Sequence, residues 1–386
     1  MSEKDVVVVN RLTQETAERT VNAFGVRVLV RIKAPHGAAT GSTAAMIERL
    51  TTAWSDSPQP RCQPTELPVV DLGEVHDENF ERIHSIMSTE VTLAALEFNA
   101  GRLLMFHAGG IARHDGKVAL ITGPSGRGKT TTLRHLGLHY GYVSDETIAI
   151  DFGGTVHPYR KPLSVITEGH RHKLQISPSE LNLRPLPNVP LKVGGIAVLE
   201  RAGRSDKKST VTQLGFAAGI VAVVEQSSYM ISLERPLTQV AELAASIGGF
   251  KILTVGKPET IHLVAEELFV PGTDTNWTRA MPSDNASSFH DAAYLVADVI
   301  DAVACDDGTV VFTQSLKVVL LDGIGPELWS AACKGERWEE LVDRIESVHG
   351  PAPSLDTRGA VKEVAEELVC AGILRPGKER TVGVPG

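Results

Sequence analysis

The sequence predicts an α/β protein whose core carries a phosphate-binding loop (P-loop), with an α+β region before it and a small winged-helix-like unit after it. Three observations support this. Apolar Val118–Ile121 runs directly into Gly123-Pro124-Ser125-Gly126-Arg127-Gly128-Lys129-Thr130, and a helical stretch follows. Downstream, strand-like and helix-like segments alternate to about residue 270. Near the C terminus, two β-branched runs, Thr309–Thr313 and Lys317–Leu321, flank a turn and lead into three amphipathic stretches.

Each element has a local reason. In residues 1–102, Val26–Ile32 has the β-branched run of a strand. Ser42 is placed to cap a helix with Met46, Leu50 and Trp54 on one face. Polar, proline-containing residues 55–68 read as a loop. A longer helix is expected from Asn79 to Phe98, with Phe80, Ile83, Met87 and Val91 at helical spacing.

The core is expected over 103–270. Leu103–Ala112 reads as one buried strand, His114-Asp115-Gly116 as a tight turn, and Lys117–Thr122 as the next strand. A helix from Lys129 to about Leu138 leads to Gly141 and a strand Tyr142–Ile150, then Val156–Arg160. Gly195–Glu200 and Phe250–Val255 read as strands. Phe216–Val224, Leu237–Ile247 and Glu259–Phe269 read as helices. Aperiodic 271–288 is expected to be a linker to a domain at 289–386, where helices fall near Pro326–Cys333, Trp338–Val348 and Thr357–Ala371.

At 386 residues the chain is long for one core, and 42% hydrophobic and 22% charged residues are ordinary for a globular protein. A formal charge of −9 argues against broad nucleic-acid binding. The C-terminal 290–386 holds 17 acidic and 9 basic residues, the wrong sign for a duplex reader. Cys62, Cys305, Cys333 and Cys370 form no CxxC pair, so neither a zinc knuckle nor a redox pair is expected. Scattered thiols, no export signal at the start and no apolar run of membrane-spanning length together point to the cytoplasm, with no membrane partner.

The chemistry concentrates at residues 123–130. Glycines at 123, 126 and 128 let the backbone curl so that successive N–H groups face one centre, where the following helix adds its positive end. Lys129 would reach the outer phosphates of ATP, and the Thr130 hydroxyl would hold Mg²⁺, with Thr131 next in the helix. Such a loop needs a carboxylate partner. Asp145 and Glu146 supply two: one for the metal, the other to take a proton from an attacking hydroxyl. Arg160 and Lys161 follow a strand and would offset charge on a moving phosphoryl group. His170 and His172 would share a strand face within a solvated basic segment, Gly169–Lys173. Arg201–Lys208 reads as an exposed turn.

Phe106-His107-Ala-Gly-Gly, the P-loop and Gly141-Tyr-Val-Ser-Asp-Glu146 together resemble the catalytic core of bacterial HPr kinase/phosphorylase, which shares its nucleotide-binding core with phosphoenolpyruvate carboxykinases. The resemblance spans about Leu103 to Leu174, more loosely to Leu268. It implies that His107 sits beside the phosphates, that Asp145 is the base or its partner, and that Glu146 helps to hold Mg²⁺. A histidine ending an apolar strand is also often a packed core residue, and that reading stays open. Glu146 departs from the usual second Asp of the family. The family's Arg-Gly-Leu-Gly stretch is absent, which puts HPr in doubt as substrate.

Asp307-Gly-Thr-Val-Val-Phe, Leu320-Leu-Asp-Gly-Ile-Gly-Pro-Glu-Leu-Trp329 and Ala371-Gly-Ile-Leu374 resemble a PqqD-type domain. Relatives of that fold recognise leader peptides of ribosomally made, modified peptides, adding the leader as a strand. Trp329 and Trp338 read as core residues. The combination suggests an ATP-dependent kinase acting on a Ser or Thr hydroxyl of a precursor peptide or small protein. A nucleotide-gated peptide binder and a small-molecule phosphotransferase are the alternatives. The resemblance also implies a homo-oligomer.

Overall fold

The computed structural model describes residues 16–35, 41–59, 66–202, 208–273, 275–282, 291–351 and 356–377. Cys62, residues 203–207 of the basic turn and 283–288 of the expected linker lie outside them. In chain order the elements begin with β1 (Thr16–Ala23), β2 (Val26–Lys33), α1 (Ser42–Thr52), β3 (Val69–Glu74) and α2 (Phe80–Phe98). Next come β4 (Leu104–Phe106), β5 (Ala108–Ala112), β6 (Lys117–Thr122), α3 (Lys129–Gly137), β7 (Gly141–Ser144), β8 (Ile148–Ile150) and β9 (Val156–His157). A short hairpin, β10 (Leu163–Val165) and β11 (Leu174–Ile176), precedes β12 (Lys192–Arg201), β13 (Thr210–Leu214), α4 (Phe216–Val224), β14 (Ser227–Ser228), α5 (Pro236–Ala245) and β15 (Phe250–Val255). Last are β16 (Trp277–Arg279), β17 (Tyr294–Val296), β18 (Val299–Cys305), β19 (Gly308–Thr313), β20 (Val318–Leu321), α6 (Gly325–Lys334), α7 (Trp338–His349), α8 (Thr357–Cys370) and β21 (Leu374–Pro376).

These elements form two compact units, which divide the chain differently from the expected domains. One joins residues up to Phe98 with Pro158–Leu183; the other holds Asn99–His157 and everything from Arg184 onward. In the first unit β2 alternates buried Val26, Val28, Val30 and Ile32 with half-exposed Arg27, Leu29, Arg31 and Lys33, so one face covers a core. β1 pairs antiparallel and β3 parallel with β2. Helix α2 adds Ile83, Met87, Val91 and Ala95, one stripe at helical spacing. Residues 158–183 belong here because the β10–β11 hairpin packs on α2 and Tyr159 is fully buried, its ring 4.6 Å from Phe24 and its hydroxyl 3.2 Å from Thr92 Oγ1. Helix α1 begins after Gly41, with no side-chain cap, so Ser42 is its first residue and not its cap. Residues 168–173 form turns, so His170 and His172 share no strand face.

The second unit is built on a six-stranded mixed sheet, β13-β15-β12-β6-β5-β7, in which β6, β12 and β15 run parallel. A four-stranded sheet, β14-β4-β8-β9, lies beside it in the chain's path. The expected helix over Glu259–Phe269 is two 3₁₀ segments, Pro258–Leu263 and Ala265–Phe269.

The C-terminal hairpin and its three helices form as expected, but they are not set apart by a linker. Trp277–Arg279, inside the expected linker, is strand β16 and pairs with β18 in the sheet β16-β18-β19-β20. That sheet is buried on both faces, which explains the unbroken apolar run Val310-Val311-Phe312. Val303, Val310 and Phe312 join the core of the P-loop sheet, whereas Ala302 and Val311 pack under Leu328 and the 1%-exposed Trp329.

Two aspartates fasten this module to the core. Both carboxylate oxygens of Asp307 accept from Ala217 N, at 3.0 and 3.2 Å, in the first turn of α4. Fully buried Asp301 accepts from Thr238 N at 2.8 Å and Thr238 Oγ1 at 3.2 Å at the start of α5, and from Arg279 Nε at 3.3 Å. Neither helix has a capping side chain of its own; Gly215 and Arg235 stand at their N-cap positions. A helix start leaves backbone donors without partners, and here strand β18 and the turn that follows it supply the acceptors.

Asp307→Ala should cost about 1 kcal/mol, the usual worth of a cap. Asp301→Ala should cost more, about 2 kcal/mol, because the buried amide and hydroxyl of Thr238 both lose their acceptor, while the half-exposed Arg279 adds little. Denaturant unfolding of both variants measures this, and equal losses would contradict it. A second expectation concerns His84, buried between Trp54 and Phe80 with ring centroids at 5.6 and 5.3 Å. Burial pulls its pKa from 6.5 to about 4, partly opposed by a hydrogen bond with the Leu50 backbone and helped by the Arg49 charge. The unfolded chain therefore takes up a proton below pH 6.5 that the fold refuses. Stability should fall between pH 6.5 and 4, by at most about 3 kcal/mol from this residue. His84→Phe should flatten that slope in pH-resolved unfolding curves.

Candidate functional site

The site lies where two strand pairs part. The sequence suggests one strand over Leu103–Ala112 and another over Tyr142–Ile150; the structure breaks both at the same level. β5 pairs with β7 in the six-stranded sheet, whereas β4 pairs with β8 in the four-stranded one. Gly110 faces Ser144 on one side of the break and Phe106 faces Ile148 on the other. His107 therefore occupies the switch in one strand, and Asp145-Glu146-Thr147 the switch in its partner. The break has a local cause: buried Ser144 turns its Oγ back to accept from Glu146 N (3.3 Å) and Thr147 N (3.4 Å), which takes those amides out of the ladder. Asp145 and Glu146 thus sit in a turn and not on a strand.

His107 is pinned through its backbone. Its N–H donates to Gln226 O at 2.6 Å, and its carbonyl accepts from Thr122 Oγ1 at 3.2 Å, the last residue before the P-loop. The partly exposed ring hydrogen-bonds the Glu146 backbone. Burial and then the Lys129 charge hold its pKa below the usual histidine value, against the opposing pull of the Glu146 and Asp145 carboxylates. The same balance places the imidazole within electrostatic reach of Lys129, Glu146 and Asp145.

The P-loop has the expected form. Gly123, Gly126 and Gly128 take φ of 145°, 79° and 94°, values that side chains with a Cβ rarely adopt. Pro124, Ser125, Gly126 and Arg127 are exposed at the loop's crest, and Thr130 and Thr131 are exposed in the first turn of α3. Lys129 is buried; its ammonium donates to Gly123 O at 2.5 Å and Pro124 O at 3.4 Å, and burial lowers its pKa. Gly109 explains how α3 comes so close to the site. A Cβ there would stand 1.9 Å from Leu133 Cδ1, so only a glycine lets this helix rest on β5.

Fit to a magnesium nucleotide can be judged from the donors. Asp145 Oδ1 is buried and has no hydrogen-bond partner among the described residues, which suits a cation or a hydroxyl proton. Mg²⁺ is commonly held by one or two carboxylates, a hydroxyl and phosphate oxygens, the set that Thr130, Asp145 and Glu146 could begin.

Two of the expected site residues are carried by the other unit of the chain. Arg160 and Lys161 belong to the first unit, where both are buried, and the β9 strand expected to carry them ends at His157. Arg160 lies 3.7 Å from Asp56, and its carbonyl accepts from Ser57 Oγ at 3.1 Å. His170 pairs with Glu81 at 2.6 Å on the first unit's surface. Conversely Arg201, expected in a featureless turn, ends β12 with its Nε 3.9 Å from where a Cβ on Gly128 would stand. Its signal in the sequence was the apolar run Ile196–Leu199 leading into a charged pair.

No family model matches the chain, and no curated protein does. Among solved structures, the Hpr(Ser) kinase/phosphatase from Coxiella burnetii is returned at 12% identity, covering 42% of this chain and 94% of that one, with a TM-score of 0.23. A score that low adds nothing to what the geometry says. Among the described residues no helix is long and apolar enough to cross a membrane.

The electrostatics around His107 can be read directly. Removing the Lys129 charge by Lys129→Met should raise the His107 pKa, whereas Glu146→Gln should lower it further. NMR titration of the ring protons reports both, and a His107 pKa indifferent to both changes would place the ring away from this cluster.

Proposed function

We propose that the second unit is an ATP-dependent kinase that transfers phosphate to a Ser or Thr hydroxyl of a peptide or small protein. The paired strand breaks carry this reading, because they bring His107, Asp145 and Glu146 together beside a P-loop lysine. In this scheme the loop amides of 123–130 and the Lys129 ammonium bind the phosphates. Thr130 and Glu146 would hold Mg²⁺, which when bound offsets phosphate charge. Asp145 accepts the proton of the acceptor hydroxyl through its unpartnered Oδ1, and that oxygen then attacks the terminal phosphorus as ADP leaves. Neutral His107, its pKa held down, puts no positive charge beside the hydroxyl and could take that single proton in place of Asp145.

The C-terminal module supports a peptide acceptor. Its sheet order leaves β20 at an edge among the described residues, and an extended leader can add to such an edge by backbone hydrogen bonds. In this reading the precursor peptide is one of the ribosomally made and modified class. The acidic surface of the module suits a partner other than nucleic acid.

Intact-mass spectrometry of a candidate precursor peptide encoded beside this chain, incubated with protein, ATP and Mg²⁺, should show the gain of one phosphate. Asp145→Asn should reduce the rate at least 100-fold, the scale expected for loss of a general base. A peptide that binds in a nucleotide-dependent way yet stays unmodified would instead mark a nucleotide-gated binder.

A further inference from the structure

Strand β12 lies beside β6 in parallel register, Ala197 with Ile121 and Val198 with Thr122. One step further on, Leu199 comes level with Gly123, and its carbonyl would be 3.2 Å from a Cβ on that glycine. The C-terminal end of β12 is therefore seated against the start of the P-loop. Side chains alternate along a strand, so Arg201 shares the face of Leu199 and Glu200 points the other way. The Arg201 guanidinium reaches the far end of the loop, with Nε 3.9 Å from a Cβ position on Gly128, the residue before Lys129. The Arg201 side chain is exposed and has no hydrogen-bond or ion-pair partner among the described residues. Several arginines of this unit are engaged, Arg113 with Asp115 and Glu266, Arg279 with Asp301, Arg344 with Glu336, whereas Arg127, Arg134 and Arg235 are, like Arg201, without a side-chain partner among the described residues; of these Arg201 alone comes to the loop from a neighbouring strand. An unpaired guanidinium at the rim of an anion cradle has an evident ligand.

We propose that Arg201 is a second phosphate-binding cation of the nucleotide site, contacting oxygens of the polyphosphate that the 123–130 loop holds. The proposal rests on the reading of that loop as a nucleotide site. Lys129 approaches from within the loop as a point charge. Arg201 approaches across the rim from the neighbouring strand with a planar fork that can bind two oxygens at once. The same placement lets it offset charge that shifts between the terminal phosphate and the leaving diphosphate during transfer.

The test is equilibrium binding of Mg·ATP to the full chain, comparing wild type, R201A, R201K, E200A and, as reference, K129M. R201A should weaken binding about 10- to 100-fold, the range of a charge-assisted hydrogen bond to phosphate. R201K should recover only part of that loss, and E200A, on the opposite face, should bind as wild type. Thermal unfolding should place R201A with wild type, since the side chain is exposed. R201A binding as tightly as wild type while K129M does not would overturn the proposal and leave the nucleotide site standing. Full recovery in R201K would also overturn it, by reducing the role of Arg201 to charge at a distance. A wild type that binds no nucleotide would overturn the nucleotide reading itself.

Discussion

The chemistry of the second unit depends on one constraint: two neighbouring strands must leave their sheet at the same level. Had β4–β5 and β7–β8 continued straight, His107 and Asp145 would be ordinary strand residues, with their backbone groups used up in a ladder. Because Ser144 diverts two amides to its own hydroxyl, the chain turns and both partners move to a second sheet. A turn can present adjacent carboxylates to one side, which a strand with its alternating faces cannot. The break also places polar side chains next to the end of β6, where the parallel strands deliver the P-loop. Thr122 then ties the two features together through the His107 carbonyl.

The second structural lesson is how the C-terminal module is held. Asp301 and Asp307 each act as the missing cap of a core helix. Gly215 shows that the arrangement is built in: a Cβ there would stand 2.4 Å from Asp307 Oδ2, so the helix start leaves that space for a carboxylate some ninety residues away. Helix α4 runs from this cap to the segment where Gln226 accepts the His107 N–H. The C-terminal module and His107 therefore touch opposite ends of one short helical element. With the apolar cores shared between sheet and helices, the module is part of the unit and not an appendage.

Much of this was legible beforehand because it is local. The glycine pattern, the strand before it and the helix after it are decided within about twenty residues, and the P-loop formed as its spacing requires. Helices α2, α4, α7 and α8 appeared close to their expected bounds because an apolar stripe at helical period has few alternatives. The strand breaks were not legible, since Leu104–Ala112 is apolar except for His107 and such a run does not announce a change of sheet. Arg160 and Lys161 were singled out for their charge, and what the sequence did not show is that both are buried in the first unit, Arg160 beside Asp56. Arg201 was passed over because its value lies in a neighbour from seventy residues earlier.

By itself, the sequence determined the phosphate loop, the carboxylate pair that follows it, most helices and the acidic character of the C-terminal part. Those are properties of residue type and short-range spacing, which backbone sterics and hydrophobic period enforce wherever the segment ends up. Only the tertiary structure decided which charged groups share a site, which strands break, and which aspartates cap which helices. Such choices depend on contacts between segments far apart in the chain, and no local periodicity records what will lie on the other side of a sheet.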